Sequence, residues 1–316
     1  MQVKVIFNGL KGAKEEIVQI AINILDSIIE NVSNALDLSA LEYVQVTEDF
    51  GSELSEFQAA HGLRIGYTKE DICQAEAKTI SYKSNNSIRT VIFLSELLIA
   101  GLFGEEAQYF AHIIHHELGH VHDDIKKAKI FGAGYEFGTI WEISSILIAH
   151  SDVMWSEYIS TFLSGSSIPK KFDFNIPLLS NLIADLQNKT RTDIDNYRWS
   201  MIQLDDLFGN IQSYTSLVLK VASSVYAYCS YLRKAGVGNN VLNEVNKNIE
   251  KALEGTVLSE IWVAFTSQLD LLARSYPSWK NEKVYSGLGN TILHLWNKLG
   301  IYPRNIKDGI YIDVPL

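Results

Sequence analysis

The sequence predicts an α+β protein in which a mixed N-terminal part is followed by a mainly helical one. Alternating or unbroken apolar runs of strand length occur mostly before residue 100. After the turn-rich segment at residues 165–169, apolar residues recur instead at the three- and four-residue steps that are typical of helices. We therefore expect two parts, residues 1–168 with a small mixed sheet and residues 169–316 with mainly helices.

The N-terminal part is expected to combine four strands with several helices. The apolar patterns place the strands at residues 3–7, 43–46, 77–82 and 88–94. Helical periodicity places the helices at residues 15–36, from residue 105 onward, at 140–149 and at 153–163. The polar residues 83–87 form a turn between the last two strands, which predicts a hairpin directly before the helix that begins at residue 105.

The C-terminal part is expected to contain long helices and a short β-structured tail. The periodic runs cover residues 176–187, 193–234 and 241–274, with a glycine-rich break at residues 236–240. Residues 301–316, which begin and end near prolines, predict a short pair of strands. The aromatic residues of these helices are expected to pack in the core, because large aromatics dominate protein interiors.

Histidines are concentrated in the helix that is predicted from residue 105. Five of the eight histidines lie within residues 112–122, and residues 116–120 read HELGH, an HExxH motif. At 3.6 residues per turn, His116 and His120 lie on one face of the helix, so both imidazoles can bind one tetrahedral metal ion. Glu117 lies beside this face, where its carboxylate can take a proton from a water bound to the metal. The motif therefore predicts a catalytic zinc site.

A catalytic zinc ion needs a third protein ligand, and Glu157 is the preferred candidate. It lies on the helix predicted at residues 153–163, which Ser151 and Asp152 are expected to cap. A carboxylate in so apolar a helix is expected to be paired or bound to a metal, since an isolated buried charge is costly. The other downstream candidates stay open, and they are Glu136, Glu142, His150 and Asp152.

Other residues on the motif's own helix are less suitable as ligands. Asp123 and Asp124 follow His120 so closely that the backbone would have to bend sharply to bring either carboxylate onto the same ion. They are expected instead to orient an imidazole. A histidine six residues beyond His120, the metzincin pattern, is excluded because that position is Lys126.

The HELGH helix, followed by a glutamate in the segment Ser156-Glu157-Tyr158, resembles the zincin metallopeptidases, specifically the gluzincins with a glutamate as third ligand. The resemblance covers residues 87–165. It implies a zincin-like N-terminal lobe with an active-site helix. It also implies a peptidase in which His116, His120 and Glu157 bind Zn²⁺, while Glu117 assists the attack of a zinc-bound water on a peptide bond.

Three further points depend on this resemblance. Thr161 stands where thermolysin-like enzymes have an aspartate four residues after the ligand. The group that stabilises the oxyanion is not assigned, and Tyr135, Tyr158 and His150 are equal candidates. The strand at residues 87–94 is expected to be the sheet edge that pairs with an extended substrate. An interior position, which its Val, Ile and Phe content also fits, is the alternative.

Composition and charge narrow the classes of function. The formal net charge is -10, from 27 basic and 37 acidic residues, so a nucleic-acid partner is not expected. The first residues contain no continuous apolar stretch like that of a signal peptide, and no run is long enough to span a membrane. Two cysteines cannot form a disulfide framework. A cytoplasmic protein with no membrane partner is therefore expected.

These observations together predict a zinc-dependent metallopeptidase that acts on a peptide or protein substrate. The main alternative is a regulatory or interaction protein that keeps a zincin fold and its metal site without general peptidase activity. A helical scaffold with a structural metal is a third interpretation. It is disfavoured because structural zinc sites usually have four protein ligands, often cysteines, and Cys73 and Cys229 lie far from the motif.

Overall fold

The computed structural model describes residues 3–8, 14–63, 69–70, 73–138, 142–307 and 309–315. The predicted α+β class is confirmed, with a small mixed sheet and a mostly helical remainder. The chain forms two compact units, each made of two segments. Unit 1 contains Met1–Tyr135 and Leu163–Lys171, and unit 2 contains Glu136–Phe162 and Phe172–Leu316.

Unit 1 is built around a four-stranded sheet. The strands described in unit 1 are β1 (Lys4–Asn8), β2 (Leu41–Thr47), β3 (Lys69–Glu70), β4 (Cys73–Gln74), β5 (Ala77–Ser84) and β6 (Ser87–Ser95). Its helices are α1 (Glu15–Ser33), α2 (Phe50–Ala60), α3 (Glu96–Gly101) and α4 (Ala107–Phe131). The sheet order is β1-β2-β6-β5, in which β1, β2 and β6 are parallel and β5 is antiparallel to β6, while β3 pairs with β4 in a separate two-stranded sheet.

Apolar residues of β6 face both sides of this sheet. Ile92 and Leu94 belong to the larger core cluster, together with residues of α1, α3 and α4. Val91 and Phe93 face the opposite side, in a second cluster that includes Phe50 of α2. Because successive side chains of a strand point to opposite faces, an unbroken apolar strand is suited to a sheet covered on both sides.

The prediction that residues 87–94 form the edge strand is wrong. β6 is hydrogen-bonded to β2 on one side and to β5 on the other, so it lies inside the sheet. The alternative reading of its Val, Ile and Phe content was therefore the correct one. The edge position next to β6 belongs to β5, the first strand of the predicted hairpin.

Unit 2 is mainly helical. Its helices are α5 (Ile143–Leu163), α6 (Ile176–Arg198), α7 (Leu204–Lys234), α8 (Asn239–Leu253), α9 (Trp262–Ser275) and α10 (Ser286–Lys298). The predicted strand pair in the tail is confirmed as an antiparallel hairpin of β7 (Tyr302–Ile306) and β8 (Gly309–Asp313). Among the helices that the structure describes, none combines the length and apolar composition that crossing a bilayer requires.

One predicted helix boundary in α5 is wrong. Ser151 and Asp152 were expected to cap a separate helix at residues 153–163, but α5 continues through both. The Ser151 hydroxyl donates to the Leu147 carbonyl, one turn back, at 2.7 Å, and Asp152 Oδ1 accepts from the hydroxyl of Tyr285 at 2.8 Å. Both side chains therefore find partners without ending the helix. Residues 140 and 141 of the other predicted helix lie outside the described residues.

The long periodic runs of the C-terminal part are divided more often than predicted. The predicted break at residues 236–240 is confirmed, where Gly236 has φ 67°. The run at residues 193–234 is interrupted between α6 and α7, where Ser200 adopts a left-handed φ of 58°. The run at residues 241–274 is interrupted after α8, where Gly255 has φ 69°. A left-handed residue ends a helix without disturbing the apolar periodicity on either side.

Candidate metal centre

The helix α4 carries the HExxH motif. Ile114, Leu118 and Val121, which lie on its apolar face, are buried in the core of unit 1. The helix begins at Ala107, two residues after the predicted start at residue 105. It ends at Phe131, and the amide of the following residue, Gly132, donates to the Ala128 carbonyl at 3.0 Å. Burial of the apolar stripe fixes the rotation of α4, and therefore the direction of the residues on its other face.

The imidazoles of His116 and His120 converge, as their four-residue spacing predicts. Their Nε2 atoms are 3.0 Å apart, and the two rings meet edge to face with centroids 4.7 Å apart and an interplanar angle of 86°. Both side chains are only partly buried. Two ring nitrogens that point at one place from one helix are the arrangement with which zincins begin their metal site.

Glu117 is held against the edge strand of the sheet. Its Oε2 accepts hydrogen bonds from the backbone amide of Thr79 at 2.7 Å and from the Thr79 hydroxyl at 2.6 Å. The same hydroxyl lies 3.0 Å from the backbone carbonyl of Glu117. The glutamate is 8% exposed. The carboxylate is thus tied to β5 rather than to either histidine.

Glu157 lies on α5 and is also partly buried. Among the described residues, His116, His120 and Glu157 are a group whose side chains could hold a metal ion. Two imidazole nitrogens and a carboxylate oxygen form the donor set that a His₂Glu zinc site requires. The donor chemistry of these three residues therefore fits the expected ion.

The other candidate ligands make contacts within unit 2 or lie in solvent. His150 Nε2 is 3.3 Å from the side-chain oxygen of Gln212, and Asp152 accepts from Tyr285. Glu136 and Glu142 are exposed. None of these four belongs to the three-residue group that contains the motif histidines.

Two further histidines of α4 share a single serine. The Nδ1 atoms of His112 and His115 both lie 2.9 Å from the hydroxyl oxygen of Ser167, which in turn donates to the Ser164 carbonyl at 2.8 Å. Burial, with a smaller contribution from the charge of His116, lowers the pKa of His112 to about 3 and that of His115 to about 4. Both rings are therefore neutral near pH 7.

The two aspartates that follow the motif have basic and hydroxyl partners. Lys127 Nζ lies 3.1 Å from Asp123 Oδ2 and 3.7 Å from Asp124 Oδ1. The side chains of Lys127 and Asp123 are 2% and 0% exposed, so this ion pair is shielded from water. Asp124 also accepts from the hydroxyl of Ser81 on β5 at 2.5 Å. The expectation that these aspartates orient an imidazole stays a prediction.

The structure shows the neighbours of two candidates for the group that stabilises the oxyanion, Tyr158 and Tyr135. Tyr158 packs among the aromatic rings of unit 2, against Phe162 and Tyr226, and its burial raises the pKa of its hydroxyl to about 12. The ring of Tyr135 lies 5.8 Å from the ammonium of Lys127. Thr161, in the place of the thermolysin-like aspartate, donates to Ser224 of α7 at 3.2 Å.

The sequence did not predict the roles of Thr79, Ser167 and Lys127, whose side chains form hydrogen bonds or an ion pair with polar residues of α4. Thr79 is 38 residues from Glu117, and Ser167 is 55 residues from His112. No local pattern signals such pairings, because they depend on the packing of distant segments. The buried Lys127 could have been noticed, since it lies one helical turn after Asp123.

Comparison with protein-family models, with curated proteins and with solved structures gives no match for this chain.

Proposed function

We propose that this protein is a zinc-dependent metallopeptidase of the gluzincin type. The observation that carries the proposal is the convergence of the His116 and His120 Nε2 atoms, 3.0 Å apart, on the helix that also presents the buried Glu117. Glu157 supplies the third ligand, since its carboxylate completes a His₂Glu donor set with the two imidazoles. Three protein ligands leave one position for water or substrate, which distinguishes a catalytic zinc site from a structural one.

The roles of the residues follow from their chemistry. His116, His120 and Glu157 hold the ion, which when bound supplies polarisation of the scissile carbonyl and activation of water. Glu117 accepts a proton from the attacking water and delivers it to the nitrogen of the leaving amine, so that the peptide bond is replaced by a carboxylate and a free amine. Two observations favour the role of general base for Glu117 over that of a surface ion pair. Glu117 lies on the same helix as the proposed ligands His116 and His120, and it is buried.

The substrate is proposed to be a peptide that binds in an extended conformation along β5. Glu76, just before this strand, pairs through its carbonyl with the Ser95 amide. The alternation of a strand then directs the backbone groups of Ala77 and Ser81 away from β6, on the same side as the Thr79 amide that donates to Glu117. An edge strand beside the proposed base offers main-chain hydrogen bonds to any sequence. This replaces β6, the edge strand that the sequence predicted.

Metal analysis tests the proposal directly. We expect the purified protein to contain about one zinc ion per chain, because two imidazoles and a carboxylate are donors that zinc prefers. The measurement is elemental analysis by mass spectrometry after dialysis against metal-free buffer. Cleavage of fluorescein-labelled casein should disappear with a zinc chelator and return with added Zn²⁺. A protein that takes up no zinc, or one that cleaves casein equally well with the chelator, contradicts the proposal.

Glu157→Ala is expected to weaken zinc binding about 100-fold or more, because it removes the only proposed ligand outside α4. Competition with a chromophoric zinc chelator measures this affinity. Glu142→Ala is the matched control, since Glu142 is an exposed glutamate at the start of the same helix. Equal affinities for these two variants would remove Glu157 from the site and would leave the role of the two histidines standing.

A further inference from the structure

Thr79 gives both of its hydrogen-bond donors to one oxygen of Glu117. The amide and the hydroxyl reach Oε2 at 2.7 and 2.6 Å, and both side chains are at least nine-tenths buried. Hydrogen bonds to a charged acceptor are stronger than neutral ones, and burial protects them from competing water. One of these donors belongs to the backbone of a strand, so it cannot turn away without distorting the sheet.

The two oxygens of Glu117 are consequently not equivalent. Oε2 accepts two hydrogen bonds from Thr79, whereas Oε1 receives no hydrogen bond from the part of the chain that the structure describes. A carboxylate with one oxygen fixed to the scaffold keeps the other oxygen in a defined direction. A general base needs this, because a small misplacement of the accepting atom lowers the rate strongly.

We propose that Thr79 is the positioning residue of the active site, which fixes Oε2 of Glu117 to β5 and reserves Oε1 for the proton of the attacking water. This inference rests on the proposed peptidase function. Thr79 itself touches neither the metal ligands nor the reacting atoms in this role. It acts through Glu117, whose Oε2 is the nearer acceptor for the Thr79 hydroxyl, at 2.6 Å against 3.0 Å for the backbone carbonyl.

The variant Thr79→Val tests the contribution of the hydroxyl alone. Valine keeps the β-branched shape and the backbone amide, so the strand is retained and one of the two donors is lost. We expect kcat for a quenched fluorescent peptide to fall about 10-fold, with KM and zinc content unchanged, as for the loss of a hydrogen bond to a charged group. Thr79→Ser, which restores a hydroxyl, should recover most of kcat.

A matched control and a double variant exclude a general effect on folding. Thr47 of β2 is fully buried, and its hydroxyl has no hydrogen-bond partner among the described residues, so Thr47→Val should leave kcat unchanged. The double variant Thr79→Val/Glu117→Gln should have the same kcat as Glu117→Gln alone. Thr79 acts through the Glu117 carboxylate, so its hydroxyl has no further effect once that carboxylate is removed.

A crystal structure of metal-free Thr79→Val provides a readout that does not depend on activity. The Glu117 side chain should occupy more than one rotamer, while the His116 and His120 Nε2 atoms stay close to their 3.0 Å separation. Unchanged or increased kcat in Thr79→Val, failure of Thr79→Ser to recover activity, or a fully ordered Glu117 would overturn the positioning role. If the wild type cleaves nothing, the proposed function fails as a whole, whereas an active wild type with an unaffected valine variant refutes only the role of Thr79.

Discussion

Glu117→Gln is expected to lower peptide hydrolysis by about 10²- to 10⁴-fold, the range that a general base contributes. Glutamine has nearly the same shape, but its amide cannot accept the proton of the attacking water. The zinc content should stay close to that of the wild type, because Glu117 is held by Thr79 and is not one of the three proposed ligands. Initial rates with a quenched fluorescent peptide and elemental analysis of the same sample measure both quantities.

The controls for this experiment remove a ligand rather than the base. His116→Ala and His120→Ala should lose zinc and activity together, since each removes one of the two convergent imidazoles. If Glu117→Gln hydrolyses peptides as fast as the wild type, the assignment of the base is wrong. A wild-type protein that binds zinc tightly and cleaves no peptide or protein would favour the alternative function, a regulatory or interaction protein with a zincin fold.

Lys127→Met is expected to lower the free energy of unfolding by about 3–5 kcal/mol, the cost of leaving a buried charge without its partner. The ammonium of Lys127 lies 3.1 Å from Asp123, whose side chain is 0% exposed. Methionine fills a similar volume, so the effect reports the lost charge and not a cavity. Urea denaturation followed by far-ultraviolet circular dichroism measures it.

Lys126→Met is the matched control on the same helix. Lys126 pairs with Asp37 at 3.3 Å, but both side chains are about a quarter exposed, at 25% and 24%. A solvent-exposed pair contributes at most about 1 kcal/mol, so this variant should be only slightly less stable than the wild type. A second control, Lys127→Met with Asp123→Leu, removes both charges and should recover part of the loss. Equal effects of the two single lysine variants would contradict the role assigned to the buried pair.

The features that the sequence predicted correctly depend on short-range patterns. The four-residue spacing of His116 and His120 requires only helix geometry, and their Nε2 atoms are close together in the structure. The hairpin of β5 and β6 and the break at Gly236 likewise depend on neighbouring residues. Each of these predictions could be made because the physical cause lies within a few positions of the feature.

The errors arose where a distant partner decides the outcome. The unbroken apolar run of β6 is compatible with an interior strand and with an edge strand, and its pairing with both β2 and β5 distinguishes them. Ser151 has the chemistry of a helix cap, yet it is buried within α5 and bonds to the Leu147 carbonyl instead. The tie between Thr79 and Glu117 is of the same kind, since it joins an edge strand to a helix across 38 residues.

The division of unit 1 into two segments has a consequence for synthesis on the ribosome. The helix α4 is complete at Phe131, but the serine that serves both His112 and His115 belongs to the returning segment Leu163–Lys171. During translation, α5 must leave the ribosome before this serine does. The N-terminal unit therefore cannot finish folding before part of the following unit has emerged, which departs from the usual domain-by-domain order.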